Sequence, residues 1–565
     1  MVATALAAVL GLVFVVVTEI RGGQSPISGT TAGTASPAPA AAVPARLDEA
    51  VTKVGTKPGR RALRRALSLV DRAHTVVVAT DEPPVMASAA ALALHARAPL
   101  IVVPELDRAP EGESQTPSPA PDPDPAGAIA SMRRLGVVRA MVVGTDLDTV
   151  ATRGGARQIV RVAARGASEG GVPDVLELAA NDDAAGPSMP PGLDQQVASE
   201  LSQRPVPAPR RTGVAVLVAP DAEEATATVV AARAVGHQVI VTSAGDLRGD
   251  TALGTRLADI AGSDDPPRLV LTGNAFDTAN AGDIALQAAV AARGLQLPAG
   301  GQLVFGPDKE NPHRYIALYG VPQSPALGAL GEQPLDATIT RAKRLARQYS
   351  AVVGHDTTVV PSFEIIATVA SGSAGRDGNY SNEQPVADLR RVVDAAGDAG
   401  IYVLLDLQPG QTDFLTQAMR YRSLLTRPHV GLALDPEWRL GPQERHLEQI
   451  GAVGISEINR VIGWLADLTE HRRLPQKMVL LHQFRLSMLP DRAQLDTSRG
   501  ALAYVIQMDG QGSQDQKLET WSNVIADPPA GAWFGWKNFY DEDQPMRSPA
   551  QTMALEPRPV FVSHQ

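Results

Sequence analysis

Short apolar runs alternate with helical segments through the first part of the chain. The runs "TVVVAT" (75–80), "PLIVVPE" (99–105) and "VRAMVVGTD" (138–146) are rich in β-branched residues, and stretches of helical character separate them. Runs of this length with little polar interruption are typical of strands that are buried on both faces of a parallel sheet. The order strand, helix, strand, helix, strand predicts a βαβαβ unit.

The same order returns about 140 residues later in the chain, as expected for a fixed-period repeat. "GVAVLVAPD" (213–221) precedes a helical stretch, and "HQVIVTSAGD" (237–246) and "PRLVLTGNAFD" (267–277) follow it. The recurrence predicts a second βαβαβ unit and an internal duplication.

From Arg314 the pattern changes to eight strand-like runs separated by helical segments. In order they are "RYIALYG", "TVVPSFEIIAT", "GIYVLLDLQ", "HVGLALDPE", "KMVLLHQF", "ALAYVIQMD", "GAWFGWKN" and "RPVFVS". In one intervening segment, apolar residues recur at Ile458, Val461, Ile462 and Leu465, the spacing of an amphipathic helix. Eight strand–helix steps over about 250 residues predict a (β/α)8 TIM barrel.

Length and aromatic content support this division into domains. A chain of 565 residues is too long for one hydrophobic core, and every Trp and Tyr lies at or after Tyr315. The predicted fold class is α/β, with two N-terminal parallel modules, a C-terminal TIM barrel and an N-terminal membrane-spanning or signal helix. The predicted boundaries are an anchor or signal segment at 1–21, a flexible linker at 22–46, modules at 47–185 and 212–305, a Pro-rich linker at 186–211, and the barrel at 308–565.

The N-terminal run Val2–Val17 is apolar or small, and Glu19 and Arg21 close it. Its length approaches the ~20 residues that span a bilayer. The Gly-, Ser-, Ala- and Pro-rich stretch Gly22–Pro44 that follows would give a buried helix nothing to pack on. We therefore expect a membrane partner through this helix, and a location either in the membrane as a single-pass protein or outside the cell after cleavage.

Composition and missing motifs exclude several function classes. The chain has no Cys, which rules out disulfides, thiolate metal sites and a cysteine nucleophile. Its formal charge is −10 without any Lys/Arg-rich run, so nothing favours nucleic acid as a partner. The phosphate-loop, dinucleotide and Gly-x-Ser-x-Gly motifs are missing, and His355, Asp356 and His482 have no recognisable metal spacing. We expect no cofactor and no metal.

The first N-terminal module contains the segments "VVVATDEPPVMASAAALALHARAPLIVVP" and "MRRLGVVRAMVVGTD". Through such segments both modules resemble the cell-wall-binding repeat 2 modules of bacterial surface proteins, and the resemblance is weaker in the second module. It covers roughly residues 47–300, and neither module has the Asp-Ala-Leu element of that family. The resemblance implies noncovalent attachment to an anionic wall polymer.

Polar residues gather where the predicted barrel strands end. Because active sites of TIM barrels lie at the carboxyl ends of the strands, this clustering predicts a site there. From the second strand to the seventh the residues are Glu364, Asp406, Gln408, Asp435, Glu437, His482, Gln483, Asp509 and Lys537.

The pair Asp435 and Glu437 in "ALDPEWRLG" is the sharpest chemical signal. Alternate side chains of an extended strand share a face, so the two carboxyl groups are expected to lie together and to separate in pKa. Glycoside hydrolysis needs one carboxyl proton donor and one carboxylate. We predict Glu437, Asp435 and Asp509 as catalytic residues; the alternative is a salt-bridge network that closes the barrel, with Arg439 as a partner.

The Asp-x-Glu on the fourth strand with an Asp on the sixth is similar to the arrangement in barrel muramidases and, more distantly, in chitinase-like barrels. The chain departs from the muramidases at the first strand, where "ALYG" stands in place of their acidic residue. Relative to the chitinase-like barrels, it lacks the run of alternating Asp residues before the Glu.

Aromatic residues near the same strand ends favour a sugar ligand, because flat rings stack on the apolar faces of pyranose units. The candidates are Trp438, Trp536 and Tyr540. With Glu364, Asp406, Gln408, His482, Gln483 and Lys537 they form the predicted ligand-binding set.

Two functions follow from these patterns. The first is an exported or membrane-anchored surface protein of actinobacterial type, whose barrel hydrolyses a cell-wall polysaccharide. The second is a non-catalytic wall-associated binding or scaffold protein with a degenerate glycosidase-like barrel, since fold alone does not fix function. A cytoplasmic small-molecule enzyme would be favoured only if the N-terminal run did not direct export.

Overall fold

A computed structural model describes the chain over eleven ranges: 42–44, 51–54, 66–103, 125–144, 147–162, 212–219, 222, 225–242, 246–261, 267–276 and 280–565. The expected anchor at 1–21, most of the linker at 22–46 and the Pro-rich linker at 186–211 lie outside the described residues. Within these ranges no helix has both the length and the apolar character needed to cross a membrane.

The part before the barrel is built from short strands and helices. In chain order they are β1 (Val43–Pro44), β2 (Val51–Val54), β3 (Val70–Arg72), β4 (Thr75–Thr80), α1 (Pro83–His95), β5 (Leu100–Val103), α2 (Pro125–Leu135), β6 (Arg139–Val143), α3 (Asp148–Arg153), β7 (Gln158–Val162), β8 (Val214–Val218), α4 (Thr226–Ala234), β9 (Gln238–Val241), α5 (Thr251–Ala261), β10 (Arg268–Thr272) and α6 (Ala281–Ala292). β1 and β3 pair as a small antiparallel ladder.

The other strands form two parallel four-stranded sheets with matching strand order. The first sheet runs β5-β4-β6-β7 and the second runs β9-β8-β10-β2. Each therefore has a fourth strand that the apolar runs did not predict, because β2 and β7 are short and interrupted by polar residues. In the second sheet this strand is β2, which precedes every strand of the first sheet in the chain, so a segment N-terminal to the first sheet supplies an edge strand of the second.

The barrel contains the following elements: β11 (Arg314–Gly320), α7 (Leu335–Val353), β12 (Val359–Ala370), β13 (Ser381–Glu383), α8 (Val386–Asp398), β14 (Tyr402–Leu407), α9 (Phe414–Arg420), α10 (Arg422–Leu425), β15 (Val430–Leu434), α11 (Ile455–His471), β16 (Lys477–Gln483), β17 (Leu502–Met508), α12 (Gln514–Ile525), β18 (Trp533–Asn538), α13 (Pro549–Met553) and β19 (Phe561–His564). Between β16 and β17, in this fully described stretch, the crossover holds only two 3₁₀ turns.

These strands confirm the predicted barrel. They form a nine-stranded sheet in which β13 pairs antiparallel with β12, and the other eight strands are parallel. The sheet closes because β11 pairs with β12 on one side and with β19 on the other. Each of the eight apolar runs in the sequence coincides with or overlaps one barrel strand.

The lower half of the barrel interior is apolar. Inward residues such as Tyr315, Tyr402 and Phe561 pack together there. Phe305, in the segment that leads from α6 into β11, closes this end of the barrel, with its ring centroid 6.0 Å from Tyr315 and 5.2 Å from Trp533. Because this end is filled, an approaching ligand meets the barrel at the carboxyl ends of its strands.

We predict that Phe305→Ala destabilises the barrel by about 3 kcal/mol, the usual cost of removing a buried ring and leaving a cavity. Phe305 is 5% exposed, whereas Leu327, at the opposite end of the barrel, is 37% exposed. All five Trp residues lie in the barrel, so their fluorescence during urea unfolding reports its stability. Leu327→Ala is the matched control and should change the free energy of unfolding by no more than about 0.5 kcal/mol. Equal losses in both variants would contradict the role of Phe305 in closing the lower end of the barrel.

Candidate active site

The uppermost inward layer of the barrel is polar and charged. It is buried, with Glu437 as its most accessible carboxyl group. Its members come from seven strands or their ends: Tyr319 (β11), Glu364 (β12), Asp406 and Gln408 (β14 and just after), Asp435 and Glu437 (after β15), His482 (β16), Asp509 (after β17) and Lys537 (β18).

His482 lies at the centre of this layer. Its Nδ1 donates to Asp509 Oδ2 at 2.9 Å, and its Nε2 lies 2.9 Å from Glu364 Oε1 and 3.6 Å from Asp406 Oδ1. Burial by itself would lower the pKa of His482, but the surrounding carboxylates, Glu364 first, raise it well above the usual value. The imidazole is therefore a buried cation at neutral pH.

Lys537 is the second cation of the layer. Its Nζ lies 3.1 Å from Asp509 Oδ1, and both side chains are buried. Burial by itself would raise the pKa of Asp509, yet Lys537 and His482 together hold it below its ordinary value. Asp509 is thus a carboxylate that two positive charges stabilise.

Three other carboxyl groups have the opposite tendency. Burial, partly offset by His482, raises the pKa of Asp406 to about 7. Burial and then the charge of Glu437 raise the pKa of Asp435 well above its usual value, while burial and then the charge of Asp509 raise the pKa of Glu437 to about 7. One mouth therefore holds protonated and ionised carboxyl groups together, which is the requirement for paired acid and base chemistry.

Glu437 reaches the mouth by a different route from the one expected. The strand ends at Leu434, and Pro436–Trp438 form a 3₁₀ turn, so the backbone is not extended through Glu437. The turn follows from Pro436, whose fixed φ suits the start of a helical turn and which lacks an N–H for the ladder. Glu437 is half-buried there, while Asp435 is 1% exposed.

Arg439 does not pair with these acids. Its Nε and Nη2 donate to the two carboxylate oxygens of Glu457, on α11, at 3.1 and 3.3 Å. Arg439, the partner expected in the alternative of a salt-bridge network, is therefore engaged away from the mouth, which leaves Asp435 and Glu437 without an arginine partner among the described residues. The ion pairs of the mouth are made by His482 and Lys537 instead, so a network that closes the barrel stays an alternative.

Tyr319 was not among the residues singled out in the sequence. Its hydroxyl donates to Asp406 Oδ2 at 3.0 Å and accepts from Gln408 Nε2 at 3.2 Å. It is the third inward residue of "RYIALYG", after Tyr315 and Ala317, so strand alternation could have found it. The likeness to the muramidases points to an acidic residue on the first strand and therefore does not indicate a tyrosine there.

Gln483 and Trp536 are not brought to the mouth, which corrects two of the expected ligand contacts. Gln483 Oε1 accepts from Arg492 Nη1 at 2.6 Å, and the ring of Trp536 packs 5.7 Å from that of Trp521, on α12. The reason is the alternation of side chains along a strand. Gln483 follows the inward residue His482, and Trp536 precedes the inward residue Lys537, so both point out of the barrel.

Trp438 and Tyr540 lie at the rim, after β15 and β18. Trp438 is half-buried, with its ring edge-on to His446 at 5.2 Å. Tyr540 is 37% exposed, and the guanidinium of Arg341 lies 5.2 Å from its ring centroid. Both rings keep accessible surface that a sugar could stack on.

Asp435, His482 and Asp509 each bring one ligand atom within 4.8 Å of the others, a spacing that a metal ion could bridge. The ammonium group of Lys537 already lies against Asp509. The expectation that the chain binds no metal stays a prediction.

Comparisons with known proteins give little help. No protein-family model matches the sequence, and no curated protein matches it. Among solved structures, Cwp6 from Clostridium difficile is similar at 11% identity with a TM-score of 0.27, over 67% of this chain and 65% of that one. Cwp8 from Clostridium difficile is similar at 12% identity with a TM-score of 0.16, over 74% and 52%.

This chain therefore spans less than two thirds of either of those structures. At such TM-scores the likeness supports no argument about function, so the function has to be argued from the site.

We predict that Asp406→Asn stabilises the barrel more at pH 8 than at pH 4. The pKa of Asp406 is raised to about 7 in the fold, so its contribution to stability is present below its unfolded pKa of about 4 and is lost as the pH rises through 7. Asparagine mimics the protonated form and avoids that loss, which is on the order of 1–4 kcal/mol. Tryptophan-monitored urea unfolding at both pH values measures the difference.

The control is Asp467→Asn, which removes a carboxylate that is 72% exposed and pairs with Arg499 at the surface. It should show no comparable pH-dependent gain. A gain for Asp406→Asn that is the same at pH 4 and pH 8 would show that folding does not raise the pKa of Asp406.

Proposed function

We propose that the barrel is a glycoside hydrolase that acts on a cell-wall polysaccharide outside the cell. The feature that supports this most directly is that two carboxyl groups of one mouth are shifted in opposite directions: the pKa of the partly accessible Glu437 is raised to about 7, whereas that of Asp509 is lowered. Hydrolysis of a glycosidic bond needs that combination of acid and carboxylate.

Glu437 is the proton donor in this proposal. It is the most accessible carboxyl group of the cluster, and its pKa of about 7 keeps a proton available at neutral pH. As the bond between the anomeric carbon and the leaving oxygen breaks, Glu437 protonates that oxygen. Water then supplies the hydroxyl group at the anomeric carbon and the proton that restores Glu437.

Asp509 is the carboxylate in this proposal. The sequence predicted both Asp435 and Asp509 as catalytic residues, and for this role their electrostatics favour Asp509, because its pKa is lowered while that of Asp435 is raised. Lys537 and His482 keep it ionised and fix its orientation. A carboxylate so placed stabilises the oxocarbenium-like centre or activates water.

The wall polysaccharide as substrate rests on features outside the carboxyl cluster. Trp438 and Tyr540 offer partly exposed rings at the rim, and Gln408 is an amide near the mouth. The apolar run Val2–Val17 favours export, and the resemblance of the N-terminal modules to wall-binding repeats favours a location at the wall.

A non-catalytic binding or scaffold role is the second candidate. It is favoured by the complete burial of Glu364, Asp406 and His482, which are 0% exposed, with His482 next to both acids. In that case the cluster would be a structural core, and the rim alone would bind sugar.

We predict that Glu437→Gln lowers the hydrolysis rate by about 100- to 10,000-fold, the contribution expected of a general acid, while binding of the polysaccharide is retained. Release of reducing ends from purified cell walls measures the rate, and co-sedimentation with the walls measures binding. In the wild type, the rate should fall as the pH rises through about 7, since Glu437 then loses its proton.

The matched control is Glu448→Gln, the same chemical change at an exposed position of the same loop. Its rate should equal that of the wild type. Wall binding by the wild-type protein without any release of reducing ends would reject the hydrolase and support the scaffold.

Residues 1–46 should direct export of a fused reporter. The apolar run is close to the ~20 residues needed to span a bilayer, so alkaline phosphatase fused after residue 46 should be active outside the cytoplasm of a bacterial host. The double substitution Leu10→Arg and Val13→Arg places two charges in the run and should abolish that activity. A wild-type fusion that stays inactive in the cytoplasm would favour an intracellular enzyme instead.

A further inference from the structure

The ammonium group of Lys537 is packed against the face of an aromatic ring. Its Nζ lies 3.6 Å from the ring centroid of Tyr319 and 5.1 Å from that of Phe539. Lys537 is 3% exposed, so water is largely excluded from this ammonium group. A desolvated cation over a ring face is the arrangement in which the cation–π attraction is strongest.

The ring also limits where the ammonium group can go. Lys537 is attracted by several acids, of which Asp509 interacts most strongly, followed by Glu364 and Asp435. With the ring of Tyr319 on one side, Nζ lies 3.1 Å from Asp509 Oδ1. A lysine stem has four rotatable bonds, and without that ring it could turn towards the other acids.

Tyr319 itself is held firmly. Its hydroxyl is fixed between Asp406 and Gln408, and burial together with the nearby acids raises the pKa of the phenol well above its ordinary value, so it stays a neutral donor. The contacts form a closed ring across the mouth, from Asp406 through Tyr319, Lys537, Asp509 and His482 back to Asp406.

We propose that Tyr319 is a positioning residue for the hydrolysis: the face of its ring holds the ammonium group of Lys537 against Asp509. This inference deepens the proposed function and rests on it. It is independent of the sugar and of the linkage, because Tyr319 acts through Lys537 and not on the substrate.

The consequence for pH dependence follows from the charges that face Asp509. Lys537 and His482 are the cations in contact with Asp509, and Lys517, on α12, is a further cation that interacts with it. Glu437 and Asp435 are acids that follow β15, two strands away in the barrel. If Lys537 moves away, the lowered pKa of Asp509 rises, and activity that needs its carboxylate is lost at a higher pH. The acidic limb of the pH–rate profile therefore moves upward.

The test compares three side chains at position 319. Tyr319→Phe keeps the ring face, 3,4,5-trifluorophenylalanine keeps its shape but makes the face electron-poor, and Tyr319→Leu removes it. For Tyr319→Phe we expect the acidic limb of the kcat/KM profile to stay at the same pH. For the fluorinated ring and for Leu we expect it to move up by about one pH unit, so that kcat/KM falls about tenfold at pH values below the limb. The fluorinated variant has the packing of Phe, so the result does not depend on whether the Leu variant folds.

The control is Tyr402→Leu, which removes a fully buried ring from the lower interior of the same barrel. A merely structural role predicts loss of stability without movement of the limb in both Tyr402→Leu and Tyr319→Leu. The proposal is overturned if the fluorinated ring leaves the limb where Phe has it, or if Phe itself moves the limb as far as Leu does.

A second measurement separates this proposal from the hydrolase. Titration of protein labelled with ¹³C at the Asp carboxyl groups, with Asp509→Asn to assign the signal, gives the pKa of Asp509 without any substrate. A higher pKa in the fluorinated variant than in Tyr319→Phe supports the positioning role even if no sugar is cleaved. An unchanged pKa rejects it even if the wild type is an active hydrolase.

Discussion

Closure of the parallel sheet is the constraint on which the rest of the barrel depends. Once β11 pairs with both β12 and β19, every second residue of each strand must face one shared interior. Aromatic and aliphatic side chains fill the lower part of that space, and the segment around Phe305 seals it. The polar side chains at the upper ends are thereby forced into contact with one another, although they are far apart in the chain.

The resulting cluster is costly to bury. Five carboxyl groups, those of Glu364, Asp406, Asp435, Glu437 and Asp509, share the layer with two cations. Water is largely excluded, and the carboxyl groups outnumber the cations. Protonation of carboxyl groups lowers this excess of negative charge, and three of the five acids have a raised pKa. Packing alone would be better served by apolar residues. An arrangement of this kind is typical of a site in which stability is given up for chemistry.

The same layer explains how one strand can contribute to both core and site. His482 and Lys537 face the interior. Their neighbours face outward, where Gln483 accepts a hydrogen bond from Arg492 and Trp536 packs against Trp521. Arg439 is likewise bound by Glu457 and is not a partner for the acids of the mouth, whose ion pairs are with His482 and Lys537. Neighbours in the sequence therefore have opposite roles, which is a direct result of the pleat.

Much of this architecture was determined by the sequence itself. The runs of β-branched residues and the helical spacing between them are local properties, and they predicted the barrel and the end of it at which acids collect. They also predicted that Asp406, Asp435, Glu437, His482, Asp509 and Lys537 belong together.

Only the tertiary structure decided which charges touch and which acids hold a proton. Those properties depend on distances across the barrel and on exclusion of water, which no local pattern encodes. For the same reason, the pairing of β2 with the second sheet and the contact of Tyr319 with Lys537 emerged only from the fold. Pairing between segments distant in the chain is set by the packing of the whole molecule, while the alternation within each strand is set by its own residues.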